Sequence, residues 1–373
     1  MLFSEGEQNM IKILHVIASL GGGGVQKMLF NYYFGMDNSD ITFDFVVHGE
    51  KEGILESSLI RAGSTVYHVT PKKTSFIKNV TDMYSVLKSK KYDAIVVHQN
   101  LSSFFSLALA FFCGIKTRIV HSHGYNPNEK KTFRKTVYRF LNRVFATDYA
   151  ACSPEAALWL FGKKREKAKI VYNSINTTKF MYNVFKRKET RDKLNISDGD
   201  IMLLQVGRIV KDKNPLFSVN ILKRLNDKKF LLVFVGNGDY ETYVKDVALK
   251  YGMGNRVVFL GCVDNVEDYM NAADVLLFPS KHEGFGMVAV EAQMCGLAVL
   301  ASDVIPRSTK ISDNITYLSV ESESSWVKCL CNMDFDKKRN NVYDERFDVL
   351  KQASEYKNYL INTVAERSRD RNK

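Results

Sequence analysis

No stretch of this 373-residue chain is long and apolar enough to cross a bilayer. The longest apolar run, Phe104–Cys113, is about half of the ~20 residues a spanning helix needs, so no integral membrane protein is expected. Residues 1–9 carry two acids and no basic residue ahead of the first apolar strand. A secretory leader is therefore not expected; Met10 opens a more usual start, and residues 1–9 read as an unstructured extension. The six cysteines (Cys113, Cys152, Cys262, Cys295, Cys329 and Cys331) lack metal-ligand spacing, since Cys329-Leu330-Cys331 is C-x-C with no second cluster. Most sit in apolar surroundings and read as buried, reduced thiols of a cytosolic protein. Of two Asp-x-Asp strings, Asp198-Gly199-Asp200 precedes a strand, the wrong end for a ligand, and Asp334-Phe335-Asp336 lies in a weakly patterned region. No metal is expected at either. Nothing resembles an RNP stretch or a helix-turn-helix, so a nucleic-acid partner is not expected.

Acidic residues are scarce in the first half. Residues 1–185 hold 24 Lys+Arg against 14 Asp+Glu, so most of the net charge of +12 lies there. Such a surface favours an anionic partner, a membrane leaflet or a lipid diphosphate before others. With 45% hydrophobic and 25% charged residues the composition is that of a globular protein, and the length fits two domains of Rossmann size.

Strand and helix patterns alternate along the chain. Ile11–Ile17 reads as a buried strand, Gly21–Gly24 as a tight loop, and Val25–Tyr33 as a helix, a geometry suited to cradling phosphate. A dinucleotide loop would be G-x-G-x-x-G with an acid closing the next strand. Here Thr42–Val47 ends in His48-Gly49-Glu50, so a dehydrogenase is not favoured. Further strands are expected at Thr65–Val69, Ala94–His98 and Arg118–His121, the last running into His121-Ser122-His123-Gly124. Lys130–Tyr149 reads as a basic amphipathic helix with Phe133, Val137, Phe140, Leu141 and Val144 on one stripe. Ser153–Phe161 is a helix, Lys163–Lys169 a basic loop and Ile170-Val171-Tyr172 a strand. Residues 181–200 look like a linker. The pattern then restarts: Ile201–Val206, a helix near Pro215, Phe230–Val235, Val257–Leu260, Glu267–Ala272, and a strand ending in Leu277-Phe278. Together these predict an α/β protein with two mostly parallel, Rossmann-like sheets.

Candidate chemistry gathers where strands end, since open α/β sheets bind ligands there. Gly207-Arg208 follows a strand, with Lys213 five residues on. Gly236-Asn237-Gly238 is another tight turn, and Gly261-Cys262-Val263 another strand exit. Glu283 sits just before a helix running from Met287 to Cys295, and Glu291 about a turn inside it, with Gly284 and Gly286 between. For either glutamate alone, a capping acid or a solvated surface residue reads equally well. At the end of the earlier strand a histidine, His121 or His123, reads equally as a loop cap or as a hydroxyl contact.

The string Glu283-Gly284-Phe285-Gly286 with Glu291-Ala292 resembles the E-x7-E signature of retaining glycosyltransferases of family 4, which have the GT-B fold. Five ordered pieces carry the resemblance over residues 11–303: the glycine loop with Gly23 and Gly24, His123-Gly124, Arg208 with Lys213, Gly236-x-Gly238, and the Glu283/Glu291 stretch. Asn173-Ser174-Ile175-Asn176 resembles the family's NGID turn, with Ser174 and Asn176 departing from it. The resemblance implies two Rossmann-like domains facing a central cleft: an acceptor-side domain at 10–185, a donor domain at 186–345, and a terminal segment 346–373 crossing back to the first. It further implies transfer from a nucleoside diphosphate sugar, most simply a UDP-sugar, to a lipid-linked saccharide. The enzyme would be cytoplasmic and peripheral on the membrane, without cofactor or metal. Arg208 and Lys213 would stabilise the departing diphosphate, Glu291 hold the ribose, Glu283 contact the donor hexose and His123 the same sugar. Gly23, Gly24, Gly236, Val263, Phe285, Gly286 and Met287 would line the donor. An epimerase or phosphorylase of the same fold, or a non-catalytic nucleotide-sugar-binding protein, are the alternatives.

Overall fold

The computed structural model describes residues 10–21, 23–125, 129–130, 132–336 and 338–369. The chain forms two units. Of the described residues, the first unit holds those up to Gly124, those from Glu129 to Ile175, and Glu345 onward; the second holds Tyr125 and Asn176–Asp344. The division thus falls after residue 175 rather than after the expected 185, and the chain's end belongs to the first unit from residue 345.

In the first unit the order is β1 (Ile11–Val16), α1 (Gly24–Gly35), β2 (Ile41–His48), α2 (Glu56–Arg61), β3 (Val66–Val69), α3 (Phe76–Ser89), β4 (Ala94–Val97), α4 (Ser103–Phe112), β5 (Thr117–Ser122), α5 (Phe133–Phe145), β6 (Asp148–Ala151), α6 (Pro154–Phe161) and β7 (Ala168–Ile170). These strands form one parallel sheet in the order β3-β2-β1-β4-β5-β6-β7. β4 reads Ala-Ile-Val-Val and is buried throughout, as a strand covered on both faces must be. α6 starts sharply because Ser153 accepts a hydrogen bond from the Ala156 N–H and Pro154 stands at the first helical position.

The second unit contains α7 (Val184–Lys193), β8 (Ile201–Val206), α8 (Pro215–Leu225), β9 (Phe230–Val235), α9 (Glu241–Lys250), β10 (Val257–Phe259), α10 (Val266–Ala272), β11 (Val275–Phe278), α11 (Met287–Met294), β12 (Ala298–Ser302), β13 (Ile315–Leu318) and α12 (Glu323–Cys331). Its sheet is also parallel, in the order β10-β9-β8-β11-β12-β13. α13 (Val349–Arg369) then packs on α1, setting Ala353, Tyr356, Leu360 and Val364 into the first unit's core beside Tyr32, Tyr33 and Phe43.

Several expectations are corrected. Residues 181–200 are not a linker: Asn183 caps α7, whose Arg187 and Arg191 bond the carbonyls of residues 271–273 and pair with Asp274. The basic helix is shorter than Lys130–Tyr149, because Thr132 caps α5 and Asp148–Ala151 pairs into the sheet. Its apolar stripe also differs: Phe133, Phe140 and Val144 are exposed, and the buried residue is Asn142, which bonds the Asn100 and Leu101 carbonyls. Lys131 of that helix and residues 1–9 lie outside the described residues. The strand expected at Ile170–Tyr172 is Ala168–Ile170. Cys152 and Cys295 are buried, but Cys262 and Cys331 are exposed.

Candidate active site

Both sheets reverse their strand order in the middle, between β1 and β4 in the first unit and between β8 and β11 in the second. A crevice opens outside the carboxyl ends of strands at such a point. The expected residues lie at the carboxyl edges of the two sheets, some after the strands at the reversal and others, His123, Gly236 and Val263, after β5, β9 and β10.

In the second unit β8 leaves the sheet at Val206 and reaches Gly207 and the exposed Arg208. Residues 211–213 make one 3-10 turn, Asn214 turns left-handed at φ 54°, and Pro215 opens α8. Buried Gln205 pins this turn: its Nε2 donates to the Lys213 carbonyl at 2.8 Å while its Oε1 accepts from Ser218 Oγ at 2.7 Å. Lys213 Nζ then meets Glu283 Oε1 in a direct, half-buried ion pair. The Lys281 N–H donates to the Asp212 carbonyl at 2.8 Å and ties the two loops together beside that pair.

Two glycines make the neighbouring loops close enough to interlock. Gly236 has φ +127° and its N–H donates to the Gly261 carbonyl at 2.7 Å; a Cβ there would overlap the Gly207 carbonyl. A Cβ at Gly238 would overlap the Ile209 carbonyl, and the Ile209 N–H donates to the Asn237 carbonyl at 2.8 Å. The exits of β8, β9 and β10 thus form one hydrogen-bonded floor. Val263, just beyond, is half-buried against the core.

After β11 the chain is held by Ser302 Oγ donating to the Ser280 carbonyl at 2.6 Å. Phe285 is buried in the core at 3% exposure, so its side chain does not face a ligand. Gly286 (φ +104°) lies against the Phe278 ring and caps α11 with no side-chain bond. The first N–H groups of α11 are the kind that bind an anion. Met287 and Glu291 are both half-buried on that helix.

In the first unit the glycine loop follows β1, and Gly23 caps α1; Gly22 lies outside the described residues. Next to Gly24 lies Asn173 of the turn after β7, whose Nδ2 would be 3.9 Å from an added Cβ. His123 follows β5. Its N–H donates to Asn100 Oδ1 at 2.8 Å, and glycine is needed next because a Cβ at Gly124 would lie 2.9 Å from the Trp159 ring. His123 Nε2 meets His98 Nδ1 at 2.8 Å, and His98 Nε2 meets His15 Nδ1 at 3.0 Å. His121 stacks beside them, its ring centroid 4.0 Å from that of His123. Burial pulls His15 and His123 down to about 3, and His98 and His121 well below the usual imidazole range. His123 can therefore donate or accept a hydrogen bond but carries no charge near neutral pH. Ring nitrogens of His98, His121 and His123 come within 4.8 Å of one another, close enough to gather around a transition-metal ion.

The partners His15, His98, Asn100 and Gln205 were not anticipated. His98 carried a signal, since it closes the Ala94–His98 strand pattern at the ligand end of a sheet. Nothing in sequence spacing marks the other three.

Two Rossmann-like units, each with its polar residues on loops at the carboxyl edge of a parallel sheet, define the GT-B class of glycosyltransferase. Residues 186–327 match the family of glycosyl transferases group 1. The chain is 25% identical to the capsular polysaccharide biosynthesis glycosyltransferase CapH of Staphylococcus aureus, over 95% of this chain and 100% of CapH. It is 23% identical to the UDP-Gal:alpha-D-GlcNAc-diphosphoundecaprenol alpha-1,3-galactosyltransferase of Escherichia coli, over 77% and 80% of the two chains. The crystal structure of Anabaena HepE in complex with UDP and glucose shares the fold, with a TM-score of 0.73, 19% identity, and 96% and 95% coverage. The family match thus falls within the second unit, and the relatives that align along both units are named as glycosyltransferases.

Proposed function

We propose that the protein is a retaining glycosyltransferase that moves a sugar from a UDP-sugar to a hydroxyl of a lipid-linked saccharide in surface polysaccharide synthesis. The observation that carries this reading is the second unit's carboxyl edge. Arg208, the Lys213–Glu283 pair and the uncapped start of α11 all lie on the loops that leave β8 and β11, over a floor that only glycine permits. Arg208 and Lys213 neutralise charge building on the departing diphosphate, together with the α11 N–H groups at Gly286 and Met287. That chemistry is what a divalent metal would otherwise supply. Glu291 holds the ribose hydroxyls, Glu283 the donor hexose, and His123 a sugar hydroxyl as a neutral partner. Gly236 and Val263 border the nucleotide, and Gly23 and Gly24 let the first unit's backbone approach a ligand.

The lipid-linked acceptor is supported by the relatives' printed substrates and by the exposed Phe133, Phe140 and Val144 on a basic helix, a combination suited to an anionic membrane surface. Pure protein incubated with a panel of UDP- and GDP-sugars, with and without membrane lipid extract, tests the whole reading. The expected result is nucleotide release with a UDP-sugar that depends on extract and persists in EDTA, and a product that keeps the donor's anomeric configuration. Tight UDP binding with no turnover of any donor would refute transfer.

A further inference from the structure

In the first unit a slot of about 200 Å³ opens between α3, α4 and α5. It follows the length of α4, because Phe104, Phe105, Ala108, Leu109 and Phe112 recur on one face of that helix. At 1.5 Å per residue that face is ~12 Å long. Phe76 of α3 and Leu141 of α5 wall the two sides. Phe76 and Phe112 stand partly in solvent, so the slot is open to a ligand. An apolar cavity of about this size takes hydrocarbon more readily than water.

One end differs in kind. Lys72, the only charged residue lining the slot among the described residues, comes three residues after β3. That puts it at the carboxyl edge of the sheet, where the glycine loop and His123 also lie. Its Nζ donates to Gln99 Oε1 at 3.3 Å and lies 4.6 Å from the centre of the Phe105 ring. Gln99 is held in turn by His48 at the end of β2, and its Oε1 also accepts from Ser106 Oγ at 3.5 Å. Burial pulls the Lys72 ammonium down to about 8, and no carboxylate among the described residues acts to hold it up. A desolvated cation that faces only neutral partners is costly, and an anion placed beside it removes much of that cost.

Charge and shape together define the occupant. The cation marks the end at the sheet's carboxyl edge, and the hydrocarbon surface runs away from it along α4. A free diphosphate would leave the phenylalanine-lined length empty. A slot one helix face wide has room for one chain, not two. We propose that this slot holds the chain of a single-chain lipid diphosphate, with Lys72 on the diphosphate, and so positions the lipid end of the acceptor. This rests on the reading of the acceptor as a lipid-linked saccharide. It is distinct from docking of α5 on a membrane surface, since Phe133, Phe140 and Val144 do not line the slot.

The probe is farnesyl diphosphate, a soluble diphosphate with one short chain, titrated by calorimetry into the whole protein with UDP present in excess to fill the donor site. It is expected to bind ~10-fold more tightly than farnesol, inorganic diphosphate or the two-chain dihexanoyl phosphatidate, the scale of one charge-assisted bond. Equal binding of farnesol would remove the role of Lys72, equal binding of inorganic diphosphate would remove the slot, and equal binding of the phosphatidate would remove the single chain. Any of the three overturns the proposal. Ala108→Phe fills the slot midway and Lys72→Met removes its cation. Each is expected to weaken the probe by ~10-fold while UDP affinity stays within about twofold. Unchanged probe affinity in either variant would also overturn it. Should Ala108→Phe fail to fold, a photoreactive farnesyl diphosphate on the unaltered protein decides: labelled peptides are expected from α3, α4 or α5, and labelling confined to other elements overturns the proposal. The two readings fail separately. Probe bound in the slot without transfer to any membrane lipid extract would remove the transferase reading and keep the slot. Extract-dependent transfer with an unchanged acceptor KM in Ala108→Phe would remove the slot alone.

Discussion

Lys213 and Glu283 lie 70 residues apart in sequence and belong to different motifs, yet their side chains form one ion pair. Half-buried, the pair masks both groups until a donor competes for the lysine. Glu283→Gln leaves Lys213 unpaired. It is expected to bind UDP more tightly, by several-fold, while kcat drops by ~10-fold or more, since the hexose contact is lost. Calorimetry with UDP and steady-state kinetics check the two halves; weaker UDP binding in this variant would contradict the pairing argument. Glu291→Ala is expected to weaken UDP binding by the ~1.5–3 kcal/mol of a charge-assisted bond. An unchanged affinity would remove its ribose role. Lys213→Ala is expected to lower turnover by more than it lowers donor affinity, because the charge it answers grows as the diphosphate leaves. At this scale the sequence was legible where chemistry forces a residue type, as at Gly236, Gly238 and Gly286, whose missing Cβ atoms the backbone requires. It was silent on contacts made across the fold, such as Gln205 to Ser218 or His98 to His123.

Among elements, the strands were read well because a strand covered on both faces must be a short, unbroken apolar run. β9, Phe-Leu-Leu-Val-Phe-Val, occupies the six residues expected of it. α7 was missed for the opposite reason. Its sequence, VFKRKETRDK, has almost no apolar face, because it is held by guanidinium groups instead: Arg191 is 3% exposed and bonds the carbonyls of Ala272, Ser197 and Asp200 as well as Asp274. α12 was missed because only two buried side chains a turn apart, Trp326 and Leu330, anchor a helix of otherwise modest pattern. The strand ends of the first sheet also set a pH dependence. His15, His98, His121 and His123 are all depressed by burial, so the unfolded chain takes up their protons near pH 6.5 while the folded chain does not until about 3 for His15 and His123. Their contribution to stability is complete above pH 6.5 and is lost as pH falls below it. Each histidine forfeits on the order of 1.4 kcal/mol per pH unit in that window. His68, raised by its hydrogen bond to Glu56, acts in the reverse sense but only singly. The urea midpoint of unfolding is expected to drop steeply between pH 6.5 and 5; a flat midpoint across that range would show that these rings are not buried neutral.

For the whole molecule, two parallel sheets followed from pattern and length. The place where the chain passes from one unit to the other did not, because the polar segment 176–200 lies wholly beyond the division after Ile175 and already belongs to the second unit. Net charge supplies a prediction at this scale. The protein carries +12, concentrated in residues 1–185, and three large apolar side chains of α5 stand in solvent. Binding to vesicles rich in anionic lipid is expected to be strong at low salt and to fall steeply by 0.5 M, with little binding to neutral vesicles. Sedimentation measures it, and Phe133→Ser with Phe140→Ser is expected to weaken the salt-resistant remainder. Equal binding to neutral vesicles would sink the electrostatic account.

The packing of α13 against α1 has a consequence for how the protein is made. Ala353, Tyr356, Leu360 and Val364 complete a core whose other buried members, the last of them Val171, are encoded more than 170 residues earlier. On the ribosome the first unit must wait, with Tyr32, Tyr33 and Phe43 uncovered, until nearly the whole chain has emerged. The second unit runs from Asn176 to Asp344 almost without interruption and can close first. Synthesis would thus finish the later half before the earlier one, against the usual vectorial order. A message broken shortly before Val349 would release a polypeptide with an open apolar groove and a marked tendency to aggregate.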